Sequence, residues 1–222
     1  STVQGWPDNS LWTVVASADG KLYLGHVAAG LTVFNPATGV LRNFRNNPAD
    51  PASLPGDQVR AVAIDSHGNL WAGTNRGLAL YNPDEGNFTV FRHDPLDAGS
   101  LVSDNIYHLS FSRDGRLWIS TENGGVSTLD LGRAFLPAPG RGGFVNYTPA
   151  TSESLSVSNK TVHVTFQDSY GNIWVGTHGD GVDVIGHRPG AVSRRHTASH
   201  GERLSDNSVM SVQTDITELS ER

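Results

Sequence analysis

The amino-acid sequence predicts an all-β fold: a β-propeller of four-stranded antiparallel blades, four of them followed by the first strand of a fifth. Three observations lead there. A short apolar run, a turn with glycine, an aromatic, Gly/Ser-Thr, a glycine and an apolar triplet recur in that order four times. Their period falls in the range of propeller blades, roughly 40–50 residues. The 222 residues also include 25 glycines, about 11% of the chain against a usual share near 7%. A protein made of many tight turns needs that excess.

The copies are LWTVVASADGKLYLGHVAAGLTVF from Leu11, VRAVAIDSHGNLWAGTNRGLALY from Val59, IYHLSFSRDGRLWISTENGGVSTL from Ile106 and VHVTFQDSYGNIWVGTHGDGVDVI from Val162. The marker glycines Gly20, Gly68, Gly115 and Gly171 are separated by 48, 47 and 56 residues. The aromatics Tyr23, Trp71, Trp118 and Trp174 repeat the same spacings. Each unit reads as four short strands, which in the second copy span 59–64, 70–74, 78–81 and 88–91. The first strand is apolar along most of its length, as a strand covered on both faces should be, and is placed innermost. Asp and Gly in the first connection supply an Asx turn and a positive φ. Asn-Pro-x-x-Gly, at 35–39 and 82–86, closes the third connection. The aromatic on the second strand packs against the neighbouring blade, so Trp174→Ala is expected to cost about 3–5 kcal/mol.

The blades run over about residues 8–47, 55–95, 102–149 and 158–197. The long third spacing is an insertion at 131–144, LGRAFLPAPGRGGF, read as a surface loop that costs little beyond its ordering. A fifth unit begins at about 204–215, where Val209 lies 47 residues beyond Val162, and then departs from the pattern at Glu218. The segment 216–222 is the one candidate for a short helix. An open blade edge invites strand pairing, so self-association is a further expectation.

Composition excludes several classes. Counting glycine as apolar and tyrosine as polar gives an apolar share of about 46%, which is ordinary for a globular chain. Sixteen Lys and Arg against 22 Asp and Glu give a net charge of −6, opposite to the basic surface that nucleic-acid binding needs. No run approaches the length of a membrane span, so no membrane contact is expected within this segment. With no cysteine there is no disulfide, zinc-thiolate site or thiol nucleophile.

The string LPGDQVRAVAIDSHGNLWAGTNRGLALYNPDEGNFTVFRHDP resembles one repeat of the two-component regulator propeller family. The matching residues are Val59, Asp65, Gly68-Asn69-Leu70-Trp71, Gly73-Thr74, Gly77-Leu78, Tyr81-Asn82-Pro83, Gly86 and Phe88. The fourth copy repeats Asp168, Gly171-Asn172-Ile173-Trp174, Gly176-Thr177 and Gly181-Val182; the first has Tyr23 for Trp and the third Ser120 for Gly. The resemblance covers about residues 8–215. It implies a periplasmic sensor region of a bacterial sensor histidine kinase, hybrid two-component protein or diguanylate cyclase. The output domain would lie beyond a membrane span that this segment lacks. It also implies that the propeller binds a ligand or dimerises and is not itself an enzyme.

Strand geometry locates a candidate site. The inner strand is antiparallel to the second, so its start shares one end of the blade with the second-to-third turn. Positions that differ between copies at that end are free to carry specificity. They are Trp12, Arg60, Tyr107, His163 and Met210 after each inner-strand start, and His26, Asn75-Arg76, Glu122-Asn123, His178 and Asp180 in the turns. The ligand-binding set is Trp12, His26, Arg60, Arg76, Tyr107, Glu122, His163 and His178. Aromatics, a guanidinium, imidazoles and a carboxylate around a concavity suit a polar small molecule such as a saccharide or carboxylate. No cofactor or metal is expected, since no fixed ligand spacing such as His-x-x-x-His occurs. The alternatives are a protein-interaction scaffold without a small ligand, and a propeller lyase or hydrolase using Glu122 and His178 as acid and base. Ser-x-Asp-Gly at 17–20 and 112–115 is read as hairpin chemistry and not as a catalytic motif.

Overall fold

The computed structural model describes residues 5–132, 143–149, 156–186 and 208–211, together with the backbone of 192–196. Most of the 131–144 insertion, most of the fifth unit and the candidate helix at 216–222 lie outside the described residues. Four antiparallel four-stranded sheets follow one another along the chain. The first holds β1 (Leu11–Ala16), β2 (Leu22–His26), β3 (Leu31–Asn35) and β4 (Val40–Phe44), and the second β5 (Val59–Ile64), β6 (Leu70–Thr74), β7 (Gly77–Asn82) and β8 (Asn87–Phe91). The third holds β9 (Ile106–Phe111), β10 (Arg116–Thr121), β11 (Val126–Asp130) and β12 (Phe144–Tyr147), and the fourth β13 (Val162–Gln167), β14 (Ile173–Thr177), β15 (Val182–Ile185) and β16 (Val192–His196). Each sheet is a simple meander, and there is no helix among the described residues. The inner strands β1, β5, β9 and β13 touch in sequence, which is the arrangement of propeller blades around an axis.

The first hairpin of each blade depends on a few atoms. The marker glycines have φ between 81° and 89°, where a side chain would be strained. In the second blade Asp65 Oδ1 accepts the backbone N–H of His67 and of Asn69, each at 2.9 Å. Its Oδ2 accepts Asn69 Nδ2 at 2.9 Å and Trp71 Nε1 at 3.2 Å. One carboxylate thus closes the turn and anchors the blade's tryptophan. Asp168 does the same for Tyr170, Asn172 and Trp174. Burial by itself would raise the Asp65 and Asp168 carboxyls, but the donated hydrogen bonds outweigh it and hold both below the ordinary range. In the third blade Ser112 Oγ takes over the indole of Trp118 at 3.1 Å while donating to Asp114. Ser-x-Asp-Gly there is turn chemistry.

The core lies between blades. Trp71 is fully buried in a cluster with Ile106, Leu109, Leu117 and Ile119 of the next blade, and Trp118 packs with Val162, Ile173 and Val175. Trp174 is only half-buried, so the full cost of an alanine substitution belongs to Trp71 and not to Trp174. In the first, second and fourth blades, a glycine one residue before the end of the second strand receives the first residue of the next inner strand. A Cβ on Gly25 would meet Val59 O at 2.5 Å, one on Gly73 would meet Ile106 Cγ2 at 2.5 Å, and one on Gly176 would meet Val209 O at 2.9 Å. Val209 therefore sits on the fourth blade as Ile106 sits on the second.

The arc is open at its other end. Leu11 and Val14 are 42% and 53% exposed, whereas Val59, Ile106 and Val162, at the position of Leu11, are 0% exposed. The reason is that no blade within the described residues covers the outer face of the first.

Candidate functional site at the mouth of the arc

The two ends compared in the sequence do meet. The backbone N–H that follows each second strand donates to the residue before the inner strand: Val27 to Ser10 at 3.0 Å, Asn75 to Gln58 at 3.1 Å, Glu122 to Asn105 at 2.9 Å and His178 to Thr161 at 3.0 Å. Just inside that bond, all four inner strands shift register by one residue. Leu11 pairs with His26 and Thr13 with Gly25, which leaves Trp12 without a partner. The same shift leaves out Arg60, Tyr107 and His163. Each of these residues is thus the extra residue of a β-bulge, a feature that re-aims a side chain away from the alternation of its strand. The bulge occurs at one position in every blade and carries a different functional group each time.

The re-aimed side chains form a chain of contacts across the blades. The Arg60 guanidinium lies 4.6 Å from the Tyr107 ring centre and 5.8 Å from that of Trp12. Tyr107 stacks on His163 at 5.4 Å with 14° between the planes. His163 Nε2 is 3.2 Å from His178 Nδ1. A second layer holds this one in place. Arg60 Nη1 donates to Asn105 Oδ1 at 3.0 Å, Asn105 Nδ2 donates to Glu122, and Arg60 lies 3.9 Å from Glu122 Oε2. Burial and then a hydrogen bond to Glu122 raise the Tyr107 phenol. Burial, followed by the neighbouring His178, lowers His163. Trp12, Arg60, Tyr107, His108, His163 and Met210 together line a depression of about 360 Å³.

Residues 53–76, 100–123 and 156–179 match the profile of the two component regulator propeller. These are the segments that contain the three later bulges. Three of the four repeats thus match the model of the two-component regulator propeller family. No match is found among curated proteins. Among solved structures, this chain is similar to the extracellular domain of a hybrid two component system of B. thetaiotaomicron, BT3049. The identity is 33% and the TM-score 0.61, over 85% of this chain and 22% of that one. It is also similar to the extracellular domain of a one component system of the same organism, BT4673, at 22% identity and TM-score 0.65, over 85% of this chain and 25% of that one. The WD40 repeats of RRP9, at 16% identity and TM-score 0.56, share the fold alone. The chain spans about a quarter of the length of the two B. thetaiotaomicron relatives.

Within the blades, four residues of the sequence-based set, His26, Arg76, Glu122 and His178, do not line the depression. His26 is fully buried, and its Nε2 is 2.8 Å from Thr32 Oγ1. Its position belongs to Thr74, Thr121 and Thr177 in the other blades, whose hydroxyls donate to the carbonyls of Gly77, Gly125 and Gly181. His26 serves the same hairpin through a longer side chain. Arg76 is exposed and engages through its backbone, donating to Thr74 Oγ1 and accepting from Arg92. Glu122 and His178 stand behind the lining and are bonded to it. Asn105 and His108 escaped sequence reasoning: Asn105 belongs to a linker, and His108 interrupts an otherwise apolar strand. The bulge had one sequence trace, the variability of Trp12, Arg60, Tyr107 and His163 within apolar strands. Among the described residues no three His, Cys, Asp or Glu are grouped to hold a metal ion, and no helix is long and apolar enough to cross a membrane.

Proposed function

We propose that this chain is a ligand-sensing part of a bacterial signalling receptor, and that the ligand is a polar small molecule such as a saccharide or carboxylate bound at the bulge-lined mouth. The observation that carries the reading is the convergence of Trp12, Arg60, Tyr107 and His163 from four blades on one depression. Aromatic faces suit the C–H faces of a sugar ring. Arg60, already oriented by Asn105, can donate in the plane of a carboxylate or to hydroxyls. The activity proposed for the depression is binding without turnover. The likeness to extracellular domains of two component and one component systems supports an extracytoplasmic, periplasmic location. Output would come from a histidine kinase or diguanylate cyclase domain elsewhere in the protein.

Thermal shift against a panel of mono- and disaccharides and dicarboxylates tests this. A ligand at a hundredfold over its Kd adds about 2.7 kcal/mol, a rise of roughly 5–10 °C for a chain of this size. Arg60→Ala combined with Tyr107→Ala abolishes that rise; a shift left intact by this pair refutes the site. Turnover that disappears with Glu122→Gln would instead select the enzyme alternative.

A second reading, self-association through the open edge, is favoured by the exposure of Leu11 and Val14. Sedimentation velocity of wild type and Leu11→Asp tests it. A dimer that the substitution dissolves supports it, and a wild-type monomer at high concentration refutes it.

A further inference from the structure

We propose that His163, His178 and Met210 form a binding site for one soft metal ion, with Cu(I) as the ion whose chemistry fits. Two imidazoles that share a metal at about 2.0–2.1 Å put their nitrogens about 3.3 Å apart at a tetrahedral angle. The observed Nε2 to Nδ1 separation is 3.2 Å, with ring centres 5.3 Å apart. The rings need only to tilt, so that both lone pairs meet at one point and not head-on. A metal ion would take the place of the direct contact between the two nitrogens.

The third donor comes from the fifth unit. Val209 N–H donates to Thr177 O at 2.9 Å, and Val209 packs on Gly176. Met210 and His178 each follow that bond by one residue, so both emerge at the same corner of the blade. Met210 also lines the depression with His163. A methionine that is 69% exposed contributes little to the core, which leaves its thioether free for another role. Imidazole with thioether is a soft donor set that selects Cu(I) over magnesium, calcium or manganese. The carboxylate of Glu122 is engaged by Asn105 and Arg60. It offsets the Arg60 charge that would otherwise repel a cation. The Tyr107 ring stacked on His163 shields one side of the site from water.

Sequence spacing within one blade does not reveal this set, because His163 and Met210 share one position in successive repeats and His178 comes from a turn. The site uses Met210, which the proposed organic ligand does not require, so the two readings fail separately.

The test is NMR of the 222-residue chain with ¹³C-methyl methionine, titrated with Ag(I) as a redox-inert stand-in for Cu(I). It is paired with anaerobic Cu(I) competition against bicinchoninate. The chain has a single methionine, so its methyl resonance reports on Met210 alone. One equivalent of Ag(I) should shift that methyl and the ring protons of His163 and His178. Met210→Leu should weaken Cu(I) binding about tenfold or more, and His178→Gln should weaken it further. A methyl resonance unmoved by one equivalent overturns the proposal. So does wild-type Cu(I) affinity in both variants, which would mean adventitious binding at other histidines. Should His178→Gln fail to fold, the methyl shift and Met210→Leu decide alone.

Discussion

Replacing Asp65 by asparagine keeps the shape of the side chain and is expected to cost about 3–5 kcal/mol of folding free energy. The carboxylate accepts four hydrogen bonds, two at each oxygen. In the variant Oδ1 still accepts the backbone N–H groups of His67 and Asn69. Those bonds fall from charge-assisted to neutral strength, a loss of about 1 kcal/mol each. At the other oxygen an NH₂ group now faces two donors. Asn69 is exposed and can turn to water, but Trp71 is fully buried. Its stranded indole N–H costs about 1–3 kcal/mol. Urea unfolding of wild type, Asp65→Asn, Trp71→Phe and the double variant measures this. The cycle should show a coupling of about 1–2 kcal/mol between the two sites. The carboxyl is held below its ordinary range, so its contribution is complete above the unfolded value near 3.9. It is lost as pH falls through the lower folded value. The gap between wild type and Asp65→Asn should therefore shrink below about pH 4. A gap under about 0.5 kcal/mol at pH 7, or one that stays constant down to pH 2, would refute the assignment of Asp65 as the anchor of the blade.

Other substitutions probe packing and the site. Gly73→Ala drives a methyl group into Ile106 and should cost about 1–3 kcal/mol by urea unfolding. Trp71→Ala should cost about 3–5 kcal/mol and Trp174→Ala distinctly less, since only the first is fully buried. Leu11→Asp should leave stability within about 0.5 kcal/mol, while Ile106→Asp at the same repeat position should prevent folding, as seen by loss of the unfolding transition. Asn105→Ala should weaken whatever ligand shift the wild type shows without abolishing it, because it frees Arg60 from its orienting acceptor but leaves the guanidinium in place.

Much of the fold was legible because the sequence repeats. Recurrence of Gly20, Gly68, Gly115 and Gly171 marks turns that need a positive φ, and recurrence of Tyr23, Trp71 and Trp118 marks the layer between blades. Those features are local, or involve only the adjacent unit, so residue type and spacing are enough to read them. The meander, the inner position of the first strand and the start of the fifth unit at Val209 follow from them.

The site was legible only in part. Its end of the blade follows from antiparallel geometry, and variation at Trp12, Arg60, Tyr107 and His163 flagged the position. The turn residues did not resolve in the same way. His26 and His178 occupy neighbouring turn positions and share a side chain, yet one is fully buried and the other meets His163 at the surface. Arg60 and Glu122 are 62 residues apart in sequence and are joined through Asn105, a relation between blades that no spacing within one blade encodes. The open outer face of the first blade belongs to the same class. Leu11 reads in the sequence like Val59, Ile106 and Val162, and only the absence of a covering neighbour among the described residues leaves it exposed. Local chemistry determined the blade, the turns and the end at which they vary. The register shift that aims the side chains, and the choice of which of them meet, were decided by packing between blades, because contact across a sheet stack depends on distances that sequence order does not carry.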